Sequence, residues 1–151
     1  MLSNLLLGST ALIINLGIQV YAIVVLLGYF GRRVGAGKAA EGLGQDMYAL
    51  SLVILVLFLG HMLQASTWAM IFFWLGEFSD KHTALYHSLV NLTSLGYGDI
   101  VMSERHRLLG AMEAANGVLM FGLSAGSILS VMNRMFARQL QARGKTEFFN
   151  D

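Results

Sequence analysis

The stretch TSLGYGDI, residues 93–100, places two glycines around a tyrosine, after two hydroxyl side chains and before an acid. Glycine adopts backbone angles that are closed to other residues. Glycines that alternate with ordinary residues can therefore turn successive carbonyl groups to one side, and a ring of such carbonyls can replace the water shell of a cation. The alternative is a simple glycine-rich turn, and the surrounding residues decide between the two.

The stretch lies in a connection, residues 77–107, between two long apolar segments. Just before it, the run TALYHSLVNLTS, residues 83–94, repeats its apolar side chains at helical spacing. Such a helix is about 18 Å long, too short to cross a bilayer, so we predict a re-entrant half-helix. Non-helical backbone at membrane depth persists only inside protein or beside a water-filled path. The candidate N-caps of the half-helix are Ser79, Asp80 and Thr83.

The distribution of charged residues along the sequence predicts the rest of the fold. Residues 1–31, 47–76 and 114–133 contain no charged side chain, and each segment reaches or exceeds the roughly 20 apolar residues that span a bilayer as a helix. We predict three transmembrane helices at about residues 5–30, 48–75 and 108–135. The predicted fold class is all-α transmembrane, with three spanning helices and one re-entrant helix.

The basic residues predict the orientation of the chain in the membrane. Seven of the ten lie in the first connection (Arg32, Arg33 and Lys38) or in the C-terminal tail, and three lie in the second connection. This bias places the first connection and the C-terminus in the cytoplasm, and the N-terminus and residues 77–107 outside. We therefore predict a multi-pass protein of the cell's inner (plasma) membrane.

With these surroundings, the glycine stretch resembles the pore loop of potassium channels, whose filter reads TVGYG. The matching residues are Ser94 to Gly98, with Thr93 before them and Asp99 after them. The run SERHRLLGAMEAANGVLMFG, residues 103–122, also looks like prokaryotic ion-channel-type membrane proteins. The resemblance covers about residues 48–138 and leaves the first helix outside.

The resemblance implies a homotetramer, because one chain supplies one loop and four loops must surround the pore axis. It implies passive conduction, in which K⁺ sheds water onto the filter and ions move by mutual repulsion; no cofactor is expected beyond K⁺ in the filter. The implied filter consists of Thr93, Ser94, Leu95, Gly96, Tyr97, Gly98 and Asp99. The implied K⁺ ligands are the carbonyls of Ser94, Leu95, Gly96 and Tyr97, together with the Ser94 hydroxyl.

Four positions depart from the family pattern. Ser94 keeps the hydroxyl of the usual threonine, whereas Leu95 is bulkier than the usual valine and is expected to pack behind the filter. Tyr86 and His87 stand where many relatives have two tryptophans that brace the filter tyrosine and the following acid. Both can donate hydrogen bonds, so we expect them to support the filter. K⁺ selectivity is the first expectation, and a weakly selective cation channel is the alternative.

The third helix carries the predicted gate. Gly117, followed by Phe121 and Gly122, matches a glycine-hinge pattern in simple two-span channels. The alternative is close helix packing, which stays equally open for Gly117 and is favoured for the GxxxG pair Gly122 and Gly126. By alignment, the residues that face the cavity or inner mouth are Phe121, Ala125 and Leu129.

Glu113 lies inside the same helix, and an acid inside a membrane suggests a function. We predict that it supports the filter or senses protons behind it. The alternative is a structural acid bonded to the pore helix or to Arg107.

Two further polar pairs face the membrane interior. Asn15 and Gln19 share one helix face, as do His61 and Gln64, since their spacings are four and three. The two helices are antiparallel, so we predict a hydrogen bond between the pairs, worth roughly 0.6–2 kcal/mol. A proton path through His61 is the alternative.

Other functions lack support in the sequence. The outer histidines 82, 87 and 106 have no helical metal-site spacing, although external proton sensing stays open. The chain has no cysteine and no common enzyme motif, so we predict no enzymatic activity, and no basic patch suggests nucleic acid. A non-conducting assembly or sensor protein with a vestigial loop remains a rival.

The predicted organisation has three parts. Residues 1–46 form a transmembrane helix with its cytoplasmic loop, residues 47–138 form the pore domain, and residues 139–151 form a short cytoplasmic tail.

Overall fold

The computed structural model describes residues 1–35 and 43–147. Lys38, which contributes to the predicted orientation, and residues 148–151 of the predicted tail lie outside the described residues. The chain forms four helices in this part of the sequence: α1 (Leu2–Gly35), α2 (Leu43–Trp74), α3 (Lys81–Leu92) and α4 (Arg107–Glu147).

The predicted fold class is confirmed. Three helices are long and apolar enough to cross a membrane, over Leu2–Tyr29, Gly44–Trp74 and Arg107–Ala137. Helix α3 is the predicted half-helix and lies between α2 and α4, with packing contacts to both. Helix α4 continues beyond the predicted end near residue 135, because the charge gap marks the limit of the apolar span and the following Gln, Ala, Arg and Lys residues are good helix formers.

Helix α3 begins at a specific cap. Asp80 is the N-cap among the three candidates. Its carboxylate accepts hydrogen bonds from the Thr83 amide at 2.8 Å and from the Thr83 hydroxyl at 2.6 Å. Both bonds hold the pKa of Asp80 below its usual value, and the bond from the Thr83 hydroxyl contributes most. The cap sets where α3 starts and therefore where its other end delivers the chain to the glycine stretch.

Two apolar clusters hold the helices together. The first cluster surrounds α3 with Trp68, Phe72 and Phe78 from α2 and the turn after it, and with Leu109 from α4. The second cluster joins Leu26, Val53 and Leu57, against which Ile128 and Val131 of α4 pack. Helix α3 thus packs in the half of the subunit that contains the 77–107 connection, while the second cluster joins only the three long helices among the described residues.

The first helix is an integral part of this packing. Asn4 donates a hydrogen bond to the Arg105 carbonyl at 2.6 Å, and Gly8 lies against Met112. Farther along, Gln19 donates to Ser124 at 2.9 Å. Along these three contacts, the residue numbers rise together in α1 and in the chain that leads into and along α4, so α1 runs parallel to α4. Since α1 packs equally on α2 and α4, it is more than a peripheral anchor.

Candidate ion-conducting site

The backbone of the glycine stretch alternates in handedness. Ser94, Gly96 and Gly98 have positive φ angles of 58°, 56° and 74°, whereas Leu95 and Tyr97 between them do not. Among the described non-glycine residues, Ser94 is the one with a positive φ, a conformation that costs an L-residue roughly 1–2 kcal/mol. This is the alternation that turns successive carbonyls to one side of a chain.

The stretch follows directly from the end of α3. Thr93 is the C-cap, and its hydroxyl donates to the Leu89 carbonyl at 2.6 Å. The amides of Ser94 and Leu95 then bond to the carbonyls of Asn91 and Val90 at 2.8 and 3.0 Å. These bonds fix the direction in which the glycine stretch leaves the helix, at the helix end that carries the partial negative charge.

A single subunit leaves the stretch uncovered. Leu95 and Tyr97 are 58% and 66% exposed, although both are large and mostly apolar. Behind them lies an open cleft of about 490 Å³, whose lining includes Asn91, Gly96 and Arg107. Leu95 does not fill this cleft in the single subunit, so its expected packing behind the filter stays a prediction about the assembled protein.

Tyr86 and His87 bond to the residues after the stretch. The Tyr86 hydroxyl donates to the Asp99 carboxylate at 2.7 Å. His87 Nδ1 lies 3.1 Å from the Ile100 carbonyl, and Asn91 Nδ2 lies 2.9 Å from His87 Nε2. Since the carbonyl only accepts and the amide NH₂ only donates, His87 is the neutral Nδ1–H tautomer in a chain that runs from Asn91 to Ile100.

The partner Asn91 was missed by the sequence reasoning, although its spacing of four from His87 on one helix was the available signal. The ring of His87 is buried and lies 4.8 Å from the Phe78 ring and 5.8 Å from the Phe72 ring, centre to centre. Packing and hydrogen bonds together therefore fix His87, and through it the turn at Ile100.

Glu113 lies fully buried behind α3. Its carboxylate interacts with the Ser88 hydroxyl and the Asn91 amide, but neither contact has the geometry of a hydrogen bond, and both carboxylate oxygens lack a partner among the described residues. Arg107 is exposed and makes no ion pair with Glu113. The structure thus places the acid against the pore helix and not beside Arg107.

Asn116 lies one helical turn from Glu113. It is also fully buried, and both of its amide atoms lack hydrogen-bond partners among the described residues. The sequence reasoning did not single it out, although its spacing of three from Glu113 was the signal.

Among the glycines whose surroundings the structure describes, Gly117 makes the tightest approach to another backbone segment. A Cβ atom built there would lie 1.8 Å from the carbonyl oxygen of Leu92, the last residue of α3. Close packing therefore explains why residue 117 is a glycine in this conformation. A hinge at Gly117 stays a prediction.

Gly122 and Gly126 have the opposite surroundings. Nothing in the described subunit lies within 4 Å of a Cβ built at either position, so packing of this pair against another subunit stays a prediction. The predicted cavity residues Phe121, Ala125 and Leu129 are exposed on the subunit, which leaves them available to line a pore.

The predicted contact between the polar pairs of α1 and α2 is confirmed at one place. Gln64 Nε2 donates to Gln19 Oε1 at 2.9 Å. Asn15 is fully buried, but its side-chain atoms find no partner among the described residues. The sequence reasoning missed Ser124 of α4, which bonds to both Gln19 and His61.

Glu77, Ser103 and His106 form a clamp that joins the two ends of the 77–107 connection. Glu77 follows α2, and its carboxylate accepts hydrogen bonds from the amide and hydroxyl of Ser103, both at 2.7 Å, and pairs with His106 Nδ1 at 2.5 Å. Burial raises the pKa of Glu77, but the bonds from Ser103 and His106 outweigh it and leave the pKa below its usual value. The clamp joins the end of α2 to the start of α4. It also assigns His106 a structural contact.

This clamp predicts acid lability. Because folding lowers the Glu77 pKa, the stabilisation from these bonds is fully present above the unfolded-state pKa of about 4.3 and is lost as the pH falls through the lower folded value. We expect Glu77→Gln to lower stability at neutral pH by about 1.5–3 kcal/mol and to flatten the loss of thermal stability as the pH falls from neutral to about pH 3. Melting curves of both proteins across that range, with Glu104→Gln as the exposed control, test this. Parallel pH profiles of the melting temperature for the wild-type protein and Glu77→Gln would contradict this prediction.

The fold and the site together define a class of membrane protein: three spans, with a short half-helix that leads into an uncovered glycine stretch. A family model described as "Ion channel" matches residues 52–134, which is more than half of the chain. The chain belongs to this ion channel family, in agreement with the resemblance seen in the sequence. Searches of the curated proteins and of the solved structures gave no match. The matched region runs from α2 to α4 and leaves α1 outside.

Proposed function

We propose that this ion channel is a homotetramer that conducts K⁺ selectively and passively through a filter formed by Ser94 to Gly98. The observation that carries the proposal is the alternating handedness at residues 94, 96 and 98. Four such stretches around one axis would present rings of carbonyl oxygens, which replace the hydration shell of K⁺. The Ser94 hydroxyl would add the innermost ligand.

The exposed surface of the single subunit supports the assembly. Leu95 and Tyr97 are more than half exposed, and the cleft behind the stretch is open. Exposed apolar surface of this kind usually marks contact with another protein or with the bilayer. A neighbouring copy that packs against this face would cover both side chains and fill the cleft.

The half-helix supports the preference for a cation. Its C-terminal end, which carries partial negative charge, meets the chain at Thr93, on the inner side of the proposed filter. Four such ends would surround the same point on the axis. With the predicted orientation, the filter lies towards the outside of the inner membrane and the C-terminus lies in the cytoplasm.

The strength of selectivity depends on how firmly the filter is held. Tyr86 bonds to Asp99 and His87 bonds to Ile100, both after the filter. Neither bond reaches Tyr97 within the subunit, which favours a weakly selective cation channel as the second candidate. Tyr86→Phe removes the bond to Asp99 without a change in shape and tests how much this bond contributes.

The proposal is tested by ion flux from purified protein in K⁺-loaded liposomes, with K⁺ or Na⁺ outside. The expected result is a flux with a reversal potential that follows the K⁺ gradient, and a smaller K⁺ preference in Tyr86→Phe. Equal permeability to Na⁺ and K⁺ would select the weakly selective channel. A folded tetramer that conducts neither ion, under all gating conditions tried, would favour the non-conducting rival, and a stable monomer in mild detergent would overturn the assembly.

A further inference from the structure

Four buried side chains from the three long helices close a ring of hydrogen bonds in the membrane-spanning region, which we call the polar ring. None of the four is more than 6% exposed. They are Gln19 of α1, His61 and Gln64 of α2, and Ser124 of α4. Gln64 Nε2 donates to Gln19 Oε1 at 2.9 Å, and Gln19 Nε2 donates to Ser124 Oγ at 2.9 Å. The two imidazole nitrogens of His61 lie 3.0 Å from Ser124 Oγ and 3.3 Å from Gln64 Oε1.

Every member of the polar ring is both a donor and an acceptor. Gln64 Oε1 only accepts, so His61 Nδ1 carries the proton and donates to it. Nε2 of the neutral imidazole then accepts the Ser124 hydroxyl hydrogen, and Ser124 Oγ accepts from Gln19. Such chains of hydrogen bonds strengthen one another cooperatively. Since both imidazole nitrogens are engaged, the arrangement favours a fixed, neutral His61 over a proton path.

The closed polar ring selects one setting of α4. One residue along an α-helix changes the height by about 1.5 Å and the direction by about 100°, so a shift of α4 by one position would carry Ser124 out of reach of both Gln19 and His61. Their buried polar atoms would then lack partners in the hydrocarbon region, where water does not replace them. Apolar contacts select a setting less strongly, because lipid chains are as apolar as leucine. Buried polar groups fix the register of packed helices in the same way in coiled coils.

The setting of α4 matters to the glycine stretch because α4 supports the end of α3. Gly117 lies seven residues before Ser124, about 10 Å along the helix, and a Cβ there would meet the Leu92 carbonyl oxygen at 1.8 Å. On the same face of α4, a Cβ at Gly110 would lie 3.0 Å from Nδ2 of Asn91. The two glycines therefore let α4 approach the last turn of α3, and a shift by one position would bring larger side chains to this contact.

We propose that α1 is a positioning element of the ion-conducting site and that it acts through the polar ring. The ring fixes the register of α4 against α1 and α2, and α4 in that register supports Leu92, two residues before Ser94. The four members are positioning residues, since they act on the glycine stretch through α4 and α3. Because α1 lies outside the region that the family model matches, this role belongs to the architecture of this chain. The inference rests on the proposed conduction through the glycine stretch.

Two buried amides of α1 provide a matched test. Asn15 is as fully buried as Gln19, but its side-chain atoms have no partner among the described residues. Gln19→Met keeps the length of the side chain and leaves Gln64 without an acceptor and Ser124 without a donor. The net worth of a hydrogen bond, about 1 kcal/mol, corresponds to about fivefold in an equilibrium between settings of α4. We therefore expect Gln19→Met to lower K⁺ flux about fivefold and to reduce the K⁺ preference.

Asn15→Leu removes two unpaired buried atoms and is expected to keep wild-type flux and to melt at or above the wild-type temperature. Equal flux in both variants, whether lowered or at the wild-type level, would overturn the proposal. Ser124→Ala and Ser127→Ala form a second pair on α4. Ser127 bonds to the Leu123 carbonyl of its own helix, so only Ser124→Ala should lower flux, and an equal loss from both would also contradict the proposal.

Replacement of the whole polar ring separates positioning from stability. Gln19→Met, His61→Leu, Gln64→Met and Ser124→Ala together leave no member of the ring unpaired, so the combined variant is expected to melt above Gln19→Met alone. Its K⁺ flux should nevertheless stay below that of the wild-type protein, because apolar contacts leave the register of α4 open. Wild-type, K⁺-selective flux through the combined variant would show that packing alone positions α4 and would overturn the proposal.

A distance measurement separates this inference from the proposed function. Spin labels at the exposed positions Ile13 of α1 and Leu119 of α4, in subunits diluted with unlabelled ones, report the register whether or not ions pass. We expect one narrow distance in the wild-type protein and in Asn15→Leu, and a broadened or second distance in Gln19→Met and in the combined variant. If that pattern appears without K⁺ flux in the wild-type protein, the proposed function fails while the register role stands. If K⁺ flux occurs and all variants keep the wild-type distance, the register role is wrong while the channel stands.

Discussion

Replacing Gly117 with alanine is expected to destabilise the protein severely and to reduce the yield of folded protein. The new methyl group would lie 1.8 Å from the Leu92 carbonyl oxygen and 2.7 Å from its carbonyl carbon. Both are backbone atoms, so no side chain can rotate away, and α4 must move off the end of α3. Overpacking of this kind costs about 1–3 kcal/mol, and more where nothing can yield. Thermal melting of the purified protein measures the loss.

Gly17→Ala is the matched control, because this glycine of α1 has open space around it, and it is expected to melt at or slightly above the wild-type temperature. The comparison also separates the two interpretations of Gly117. A glycine needed only for bending would leave the melting temperature unchanged and alter gating alone. Wild-type stability of Gly117→Ala would therefore show that α3 and α4 are not in close contact in the membrane.

Replacing Gly96 with alanine is expected to abolish selective K⁺ flux while the protein still folds. Gly96 has a φ of +56°, and nothing in the subunit lies within 4 Å of a Cβ there. Alanine in this conformation costs roughly 1–2 kcal/mol, which is too little to unfold the subunit but enough to turn a carbonyl out of its ring. We expect at least about a tenfold loss of flux, corresponding to roughly 1.4 kcal/mol, in the liposome assay.

Gly76→Ala provides a similar backbone strain outside the proposed filter, since Gly76 follows α2 with a φ of +74° and equally open surroundings. Both variants should lose similar stability, but only Gly96→Ala should lose flux. Full, selective flux through Gly96→Ala would mean that ions do not pass along this stretch.

Features that depend on local chemistry were visible in the sequence. Charge gaps predict the three spans because an unpaired charge is costly in hydrocarbon, and the length and spacing of residues 83–94 predict a helix that cannot cross. The predicted ends of the helices were less accurate than the predicted spans. The gap that ends near residue 133 marks where apolar residues stop, whereas α4 continues through residues that favour helix in water as well.

Pairings between distant residues were only partly predictable. Equal depth in antiparallel helices was enough to predict the bond between Gln19 and Gln64, because both groups need a partner in the membrane. Equal depth did not predict the hydrogen bonds of Ser124 to Gln19 and His61. Those bonds depend on the rotation of α4 about its own axis, which is set by the packing of α3 against it. The same packing places Glu113 against Ser88 and Asn91 and leaves Arg107 exposed, a choice that spacing alone left open.

The sequence by itself determined the environment and the architecture: three apolar spans, one half-helix, and a glycine stretch whose pattern resembles that of a channel family. These follow from hydrophobicity and backbone sterics, which act over a few residues. Only the tertiary structure decided that α1 packs on α4, that Gly117 touches the end of α3, and that four polar side chains close into a ring. Those features arise where helices far apart in sequence meet, and their register is set by how the side chains interlock.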